Sequence, residues 1–571
     1  MKGSLKGMMI LFLLAAGISG VDAQGTSVKT ELPKGWHLMD KETDGFYGIS
    51  LDKAYHFLQA KKLKSKTVLV AVIDSGVDTL HEDLKSILWV NPGEIPGNGI
   101  DDDHNGYVDD VHGWNFLGGK DGENVKDDSQ EEARVYYQFK EQFGKDSLDT
   151  AALTDDDKDH YKMWLKARKT IIGDGTDNGI DPILLRRALN AWTKSDSVLQ
   201  KAMGKTEYTG NELDSFKTSV AEIRTARSIF LYPFEANKIM DMTNKTFLSE
   251  FGEQVVSEEK KAAVKESPPE NYRKEIVKDN ESDINDRYYG NNDVMAGDPL
   301  HGTHVSGIIA AARNNGKGID GIAGNVRIMM IRAVPNGDEH DKDISLAIRY
   351  AVDNGARVIN MSFGKNLSPE KTWVDDAVKY AESKGVLLVH AAGNDYADVD
   401  TVDNFPNPNF KASHEHADNW ITVGASSDPL AEPGFRSYTA SFSNYGKREV
   451  DVFAPGTRIY STLPGNHYDN EAGTSMAAPV VTGVAALILE YYPALTPAQV
   501  KYCIEKSAVS PQAKVYRPNA DEEKIKSSFA ELSKSGGIVN AYVAVRLADE
   551  LSAKTGKKAL PVKPALRNKI D

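Results

Sequence analysis

The sequence predicts an α/β protein with a mostly parallel central sheet flanked by helices, interrupted by a large helical insertion. Three observations predict it. Short apolar runs rich in β-branched residues stop at polar or turn-forming residues, the pattern of strands buried on both faces. Segments with apolar residues at helical spacing alternate with those runs, as crossover helices between parallel strands do. Between residues 118 and 297 the alternation gives way to long charged helical patterns with few β-branched runs.

Thr67 to Ile73 is a continuous apolar run ending at Asp74-Ser75-Gly76, which predicts a buried parallel strand whose carboxyl end delivers Asp74 to a loop. Helical patterns then cover Glu131 to Phe143, Lys158 to Thr170, Ile183 to Met203 and Glu212 to Phe230, with polar segments at Gly173 to Asp181 and Glu266 to Asp298. No repeat period runs through them. Asp343 to Asn354 carries Ile344, Ala347, Ile348, Ala351 and Val352 at helical spacing, and Gly355 supplies the stop before the strand Arg357 to Met361. The unit repeats as helix Thr372 to Lys384, Gly385 and strand Val386 to Val389, followed by Ala391-Ala392-Gly393-Asn394. The expected organisation is a signal peptide at 1–23, one α/β domain in two pieces at 24–117 and 298–553, the insertion at 118–297 between them, and a solvated tail at 554–571.

At 571 residues the chain exceeds what one hydrophobic core usually organises. A net charge of -15 on ordinary apolar content argues for a globular protein and against nucleic acid as a partner. Lys2 and Lys6, the apolar run Met8 to Ala16, and Val21-Asp22-Ala23 before Gln24 read as a cleaved signal peptide. An uncleaved anchor helix is the alternative, but the run is shorter than the ~20 residues a bilayer needs. The mature chain is expected outside the cytoplasm, periplasmic or secreted, with no stable membrane anchor. A single cysteine, Cys503, excludes an intrachain disulfide and reads as a buried thiol.

Cleaving an unactivated amide with an alcohol nucleophile needs a base for the hydroxyl proton, a carboxylate to hold that base, and donors for the oxyanion. Gly473-Thr474-Ser475-Met476-Ala477-Ala478-Pro479 opens an apolar helical run, so Ser475 sits at a helix start where backbone N–H groups are unpaired. Pro479 is compatible with a first turn. His301-Gly302-Thr303-His304-Val305-Ser306-Gly307 puts His301 at another helix start, with Gly302 and Gly307 permitting close backbone approach. Asn394, after a strand and a glycine, offers a side-chain N–H donor. Singly each has a bland reading: an Asp after a strand often caps a loop, and a His-x-x-His pair is sometimes a metal site.

Together, Val72-Ile73-Asp74-Ser75-Gly76-Val77-Asp78, the His301 segment, Ala391-Ala392-Gly393-Asn394 and the Ser475 segment, in that order, resemble the subtilisin-like serine peptidases, the subtilase family. The resemblance covers roughly residues 45–117 and 297–550 and leaves the insertion unmatched. It implies that Asp74 orients His301, His301 is the general base, Ser475 attacks and Asn394 donates to the oxyanion. It implies further that Ser362, Phe363 and Gly364 form an edge to which an extended peptide adds as a strand, and that Ala391, Ala392 and Gly393 line the pocket for the side chain preceding the cut. Asp78 and His304 are left as structural. The expected substrates are peptides or proteins, with no organic cofactor.

Structural calcium is expected at two places. Asp83 and Asn315 stand where many subtilases place ligands, and Asp101-x-Asp103-x-Asn105-Gly106-x-x-Asp109 matches the opening of a calcium loop. In the second, position twelve is His112 where a bidentate Glu belongs, and an Asx-rich surface turn is the alternative. Val480 stands where the family usually has His, and the stretch from Gln24 to Thr67 is too short for the customary pro-domain. The insertion is expected to cover the cleft, bind a partner or replace that pro-domain. Two other readings stay beside the peptidase: a catalytically idle subtilase fold binding through its insertion, which should have lost a triad residue or Asn394, and a metal hydrolase on His301 and His304, which lacks a Glu base and further ligands.

Overall fold

The computed structural model describes residues 33–145, 148–173, 181–237, 239–240, 242–431, 437–518 and 524–555. The expected signal peptide lies outside them, as does nearly all of the tail. The chain opens with helix α1 (Leu51–Ala60) and strands β1 (Val68–Asp74) and β2 (Gly113–Asn115). A helical series follows: α2 (Glu131–Phe143), α3 (Asp155–Ile172), α4 (Pro182–Met203), α5 (Gly210–Ser215), α6 (Ala221–Ala236), α7 (Asn244–Glu266) and α8 (Tyr272–Ile276). The α/β alternation then resumes through α9 (Leu300–Ala310), β3 (Val326–Arg332), α10 (Asp341–Asp353), β4 (Val358–Met361), α11 (Lys371–Ser383), β5 (Leu387–Ala391), β6 (Trp420–Ser426) and β7 (Val452–Pro455). The hairpin β8 (Ile459–Leu463) and β9 (His467–Glu471), α12 (Thr474–Tyr491), α13 (Pro497–Ser507), the hairpin β10 (Lys514–Pro518) and β11 (Lys524–Ser528), and α14 (Ala541–Thr555) complete it.

The seven-stranded sheet has the order β2-β3-β1-β4-β5-β6-β7, and every pairing is parallel. This is the predicted α/β fold. Alternation along β1 divides its side chains between two cores. Val70 and Val72 join Val305, Ile309, Val484 and Ala485 on the face covered by α9 and α12, while Ala71 and Ile73 join Ile344, Ala347 and Ala377 under α10 and α11. Buried on both faces, the strands read as unbroken apolar runs. The α12 helix runs through the first core, buried on nearly every side, which explains its continuous apolar sequence.

The helical series packs on its own residues. Trp192, Phe230, Phe234, Phe247 and Phe251 form one cluster, and Val135, Phe139, Phe143, Trp164 and Ala167 form another that also takes in Leu367, just beyond β4. The predicted helix Glu212 to Phe230 is two helices. α5 starts at a capping box between Thr209 and Glu212, and beyond its end the Thr218 hydroxyl accepts the Val220 N–H, so a side chain competes with the helical ladder between the two helices. α7 was not predicted, because its second half is densely charged. Its cap Thr243 and the i, i+4, i+8 series Phe247, Phe251, Val255 were the available signals.

Candidate active site

Asp74 ends β1 and is 1% exposed. The Ser75 N–H donates to its Oδ1 at 2.7 Å, and the Ala333 N–H donates to its carbonyl at 3.0 Å. Arg332, the register partner of Asp74 on β3, fixes the turn that follows. Its buried guanidinium donates to the carbonyls of Ser75 (3.1 Å) and Val125 (2.5 Å) and to Asn115 Oδ1 (3.0 Å). Burial pulls its pKa down to about 10, so it is still a cation near neutrality.

His301 is the second residue of α9. Its Nδ1 lies 2.7 Å from Asp74 Oδ1, so the ring donates to the carboxylate and Nε2 is left as acceptor. Contact this close requires glycine at 302, since a Cβ there would stand 2.2 Å from the Gly76 carbonyl and 3.2 Å from Asp74 Cβ. Burial alone would lower the pKa of His301. The charge and hydrogen bond of Asp74 outweigh it, and the net shift is upward.

Ser475 is the second residue of α12, where its N–H has no acceptor within the helix. The Ser475 hydroxyl donates to the Ser362 carbonyl at 3.0 Å, not to His301, and the Ser362 hydroxyl donates to the Ser475 carbonyl at 2.9 Å. Asn360 supports this pair from β4, donating to Ser362 Oγ at 2.9 Å while accepting from Thr482 at 2.8 Å. Asn394 accepts both the N–H and the hydroxyl of Thr474 on Oδ1, each at 2.9 Å. Its amide oxygen is therefore occupied and its NH2 group faces away, beside the first turn of α12.

Ser362 to Gly364 and Ala391 to Gly393 leave the adjacent strands β4 and β5 at the same end of the sheet. Asn404 lies between them. It donates to the Ala392 carbonyl at 3.1 Å, and a Cβ on Gly364 would meet its Oδ1 at 2.9 Å. Asn444 also donates to the Ala392 carbonyl, at 2.8 Å. Arg332, Asn404, Asn444 and Thr474 are the site residues that sequence reasoning passed over; only Thr474, inside a quoted motif, carried a local signal. His304 is fully buried, its pKa held down to about 3 by burial, and its Nε2 meets the Asp469 carbonyl. Asp78 caps the Leu80 N–H and ties the Gly465 N–H of the β8–β9 turn. Cys503 is buried, its thiol pushed up to about 12.

The profile of the Subtilase family matches residues 65–531. The chain belongs to the subtilase family. Among curated relatives, this subtilase is 46% identical over 190 residues to the thermophilic serine proteinase of Bacillus sp. (strain AK1), a match covering 33% of this chain and 42% of that protein. It is 36% identical over 247 residues to thermitase of Thermoactinomyces vulgaris, covering 43% and 75% of the two chains. With subtilisin DY of Bacillus licheniformis the identity is 37% over 211 residues, covering 37% and 70%. The match thus spans under half of the first relative's length and about three quarters of the second's.

Two acidic places bear on metal binding in this subtilase. Asp83 and Asn315 are in direct contact, with the Asn315 amide donating to Asp83 Oδ1 and the Tyr468 hydroxyl donating to Oδ2 at 3.1 Å. In the Asp101 loop, single carboxylate oxygens of Glu94, Asp101 and Asp103 lie within 4.8 Å of one another. Glu94 is buried; its Oε1 accepts the Asp102 N–H at 3.1 Å, and its Oε2 has no hydrogen-bond partner among the described residues. Three crowded carboxylates with one orphaned oxygen fit a hard cation. Glu94, upstream of the loop, supplies the third carboxylate of this cluster. Asn105 stays with the cluster, donating to Asp103 Oδ2 at 3.2 Å, whereas Asp109 turns away to accept the N–H groups of Gly97 and Gly99 at 2.8 and 2.7 Å.

Proposed function

We propose that this subtilase is a secreted serine endopeptidase acting through an acyl-enzyme intermediate. The observation that carries the reading is the buried Asp74 carboxylate 2.7 Å from Nδ1 of His301, which leaves Nε2 as the basic nitrogen at the mouth of the site. His301 Nε2 takes the Ser475 hydroxyl proton as Oγ attacks the substrate carbonyl. The resulting oxyanion is held by the Asn394 NH2 group and the Ser475 N–H. His301 returns the proton to the departing amine, and water hydrolyses the acyl-serine by the same steps in reverse. A peptide N–H hydrogen-bonded to the Ser362 carbonyl would displace the Ser475 hydroxyl from that acceptor and free it to turn toward His301. Near-attack geometry of this kind often tightens only when substrate binds.

Peptides and proteins are the proposed substrates, and the leader-like residues 1–23 place the proposed site of action outside the cytoplasm. Glu94, Asp101, Asp103 and Asn105 are proposed to hold a structural calcium, which would stabilise the fold without entering the chemistry. The test is labelling with a fluorophosphonate probe. Wild-type protein should be labelled, and Ser475→Ala should fold with an unchanged circular dichroism spectrum yet take no label. Folded wild-type protein that resists the probe would sink the reading.

A further inference from the structure

The helical insertion meets the catalytic domain at the far end of the substrate edge. Lys365 follows Gly364 directly. Its main-chain N–H and carbonyl are both taken by Phe405, at 2.9 and 2.8 Å, whereas the main-chain groups of Gly364 have no protein partner among the described residues. The buried Lys365 ammonium is held by Glu131 Oε2 at 2.6 Å, Asp341 Oδ1 at 2.9 Å and the Glu339 carbonyl at 2.8 Å. Glu131 is the first residue of α2, and so belongs to the insertion. One turn on, Arg134 donates to the carbonyls of Asp338 and Glu339, at 3.1 Å each.

The strip 336–339 that follows β3 is tied to the substrate edge through Lys365, and the main-chain groups of Asn336 and Asp338 and the Glu339 carbonyl are already used. The Asn336 N–H donates to the Lys126 carbonyl at 2.9 Å, the Asn336 carbonyl accepts the Asp128 N–H at 3.1 Å, and the Asp338 N–H donates to the Ser129 carbonyl at 3.3 Å. An extended peptide gains affinity from free main-chain donors and acceptors. At Lys365, the next residue along the edge after Gly364, both are taken. To pass, it would have to part Lys365 from Glu131 and Asp341, which strands buried charges.

We infer that this seam between α2 and the segments after β3 and β4 closes the acyl side of the cleft, so that about three substrate residues before the scissile bond are read, at ~3.3 Å of edge per residue. The inference rests on the peptidase reading and names a substrate property of the same site. Its test is a series of acetylated peptidyl p-nitroanilides of two, three, four and five residues with a common last residue, hydrolysed by the full chain. The kcat/KM should rise about tenfold from two residues to three and change by less than about twofold beyond. A climb of tenfold or more between three and five residues would overturn it while leaving the peptidase reading intact; absence of fluorophosphonate labelling would remove both. In Glu131→Gln/Lys365→Met, which deletes both charges together, the longer substrates should gain over the three-residue one. A folded double variant whose profile still stops at three would place the limit elsewhere and overturn the role of the seam.

Discussion

At His301 two opposed effects meet, and the catalytic behaviour follows from which one wins. Burial disfavours the imidazolium, the Asp74 carboxylate favours it, and the carboxylate prevails, so the pKa stands above the ordinary 6.5. A general base must be neutral, so kcat/KM should rise with pH through that raised value. The stability linkage has the opposite sign. The contribution of the ion pair is complete below the unfolded value near 6.5 and is lost as pH rises through the folded one. Replacing Asp74→Asn removes the charge and presents an amide that no longer selects the tautomer, and kcat should fall by about 10^4-fold with KM little changed, measured across pH 5 to 9. A variant within tenfold of wild type would refute the assigned role. The contact of Asp74 with His301 and the approach of Asn394 to the first turn of α12, which carries Ser475, were legible in the sequence because each of these residues lies in a short contiguous motif. Arg332 and Asn404 were not, because what they do depends on carbonyls far away in the chain, those of Ser75 and Val125 for one and Ala392 for the other.

At the scale of elements, the site depends on how closely α9 approaches the end of β1. Gly302 sets that approach. In Gly302→Ala the new methyl group would have to move the Gly76 carbonyl or the helix, and either shift lengthens the 2.7 Å contact between His301 and Asp74. Overpacking of this kind costs about 1–3 kcal/mol, which a chain of this size tolerates. A displacement near 1 Å at the reacting groups costs about 10^2-fold in rate. The expected outcome is a folded variant whose fluorophosphonate labelling is slowed by about that factor, and unaltered labelling would show that α9 has slack. Strands and helices of the α/β part were readable because burial on both faces leaves uninterrupted apolar runs between glycine stops such as Gly355 and Gly385. The insertion was less so. Its α5–α6 break rests on the Thr218 hydroxyl competing for one N–H, and α7 hides a narrow aromatic stripe among charged residues.

Over the whole molecule, the sheet, its helices and the position of the catalytic ends of the strands followed from the sequence pattern, whereas the docking of the insertion did not, since it is made by buried charges whose partners no periodicity reveals. The loop carrying Glu94, Asp101 and Asp103 belongs to the same scale, because it ties the outer sheet to the helix layer. Asp110, pushed up to about 6 by burial, accepts from Tyr350 of α10 at 2.5 Å and from Asn91 at 2.7 Å, while Asn91 also donates to Asp103 at 3.0 Å. Calcium held in that loop would therefore stabilise the junction and not the loop alone. A ligand bound only by the folded state adds about 2.7 kcal/mol when present at a hundred times its dissociation constant. Calorimetric Tm should accordingly fall on chelation and recover with calcium, and magnesium should restore little because it demands near-octahedral geometry and keeps its waters. Glu94→Gln, which removes one of the cluster's three carboxylates and its orphaned oxygen, should blunt the response to both chelator and calcium. Equal responses in wild type and Glu94→Gln would move the cation to another site, such as Asp83 and Asn315, and a Tm indifferent to chelation would exclude calcium from either.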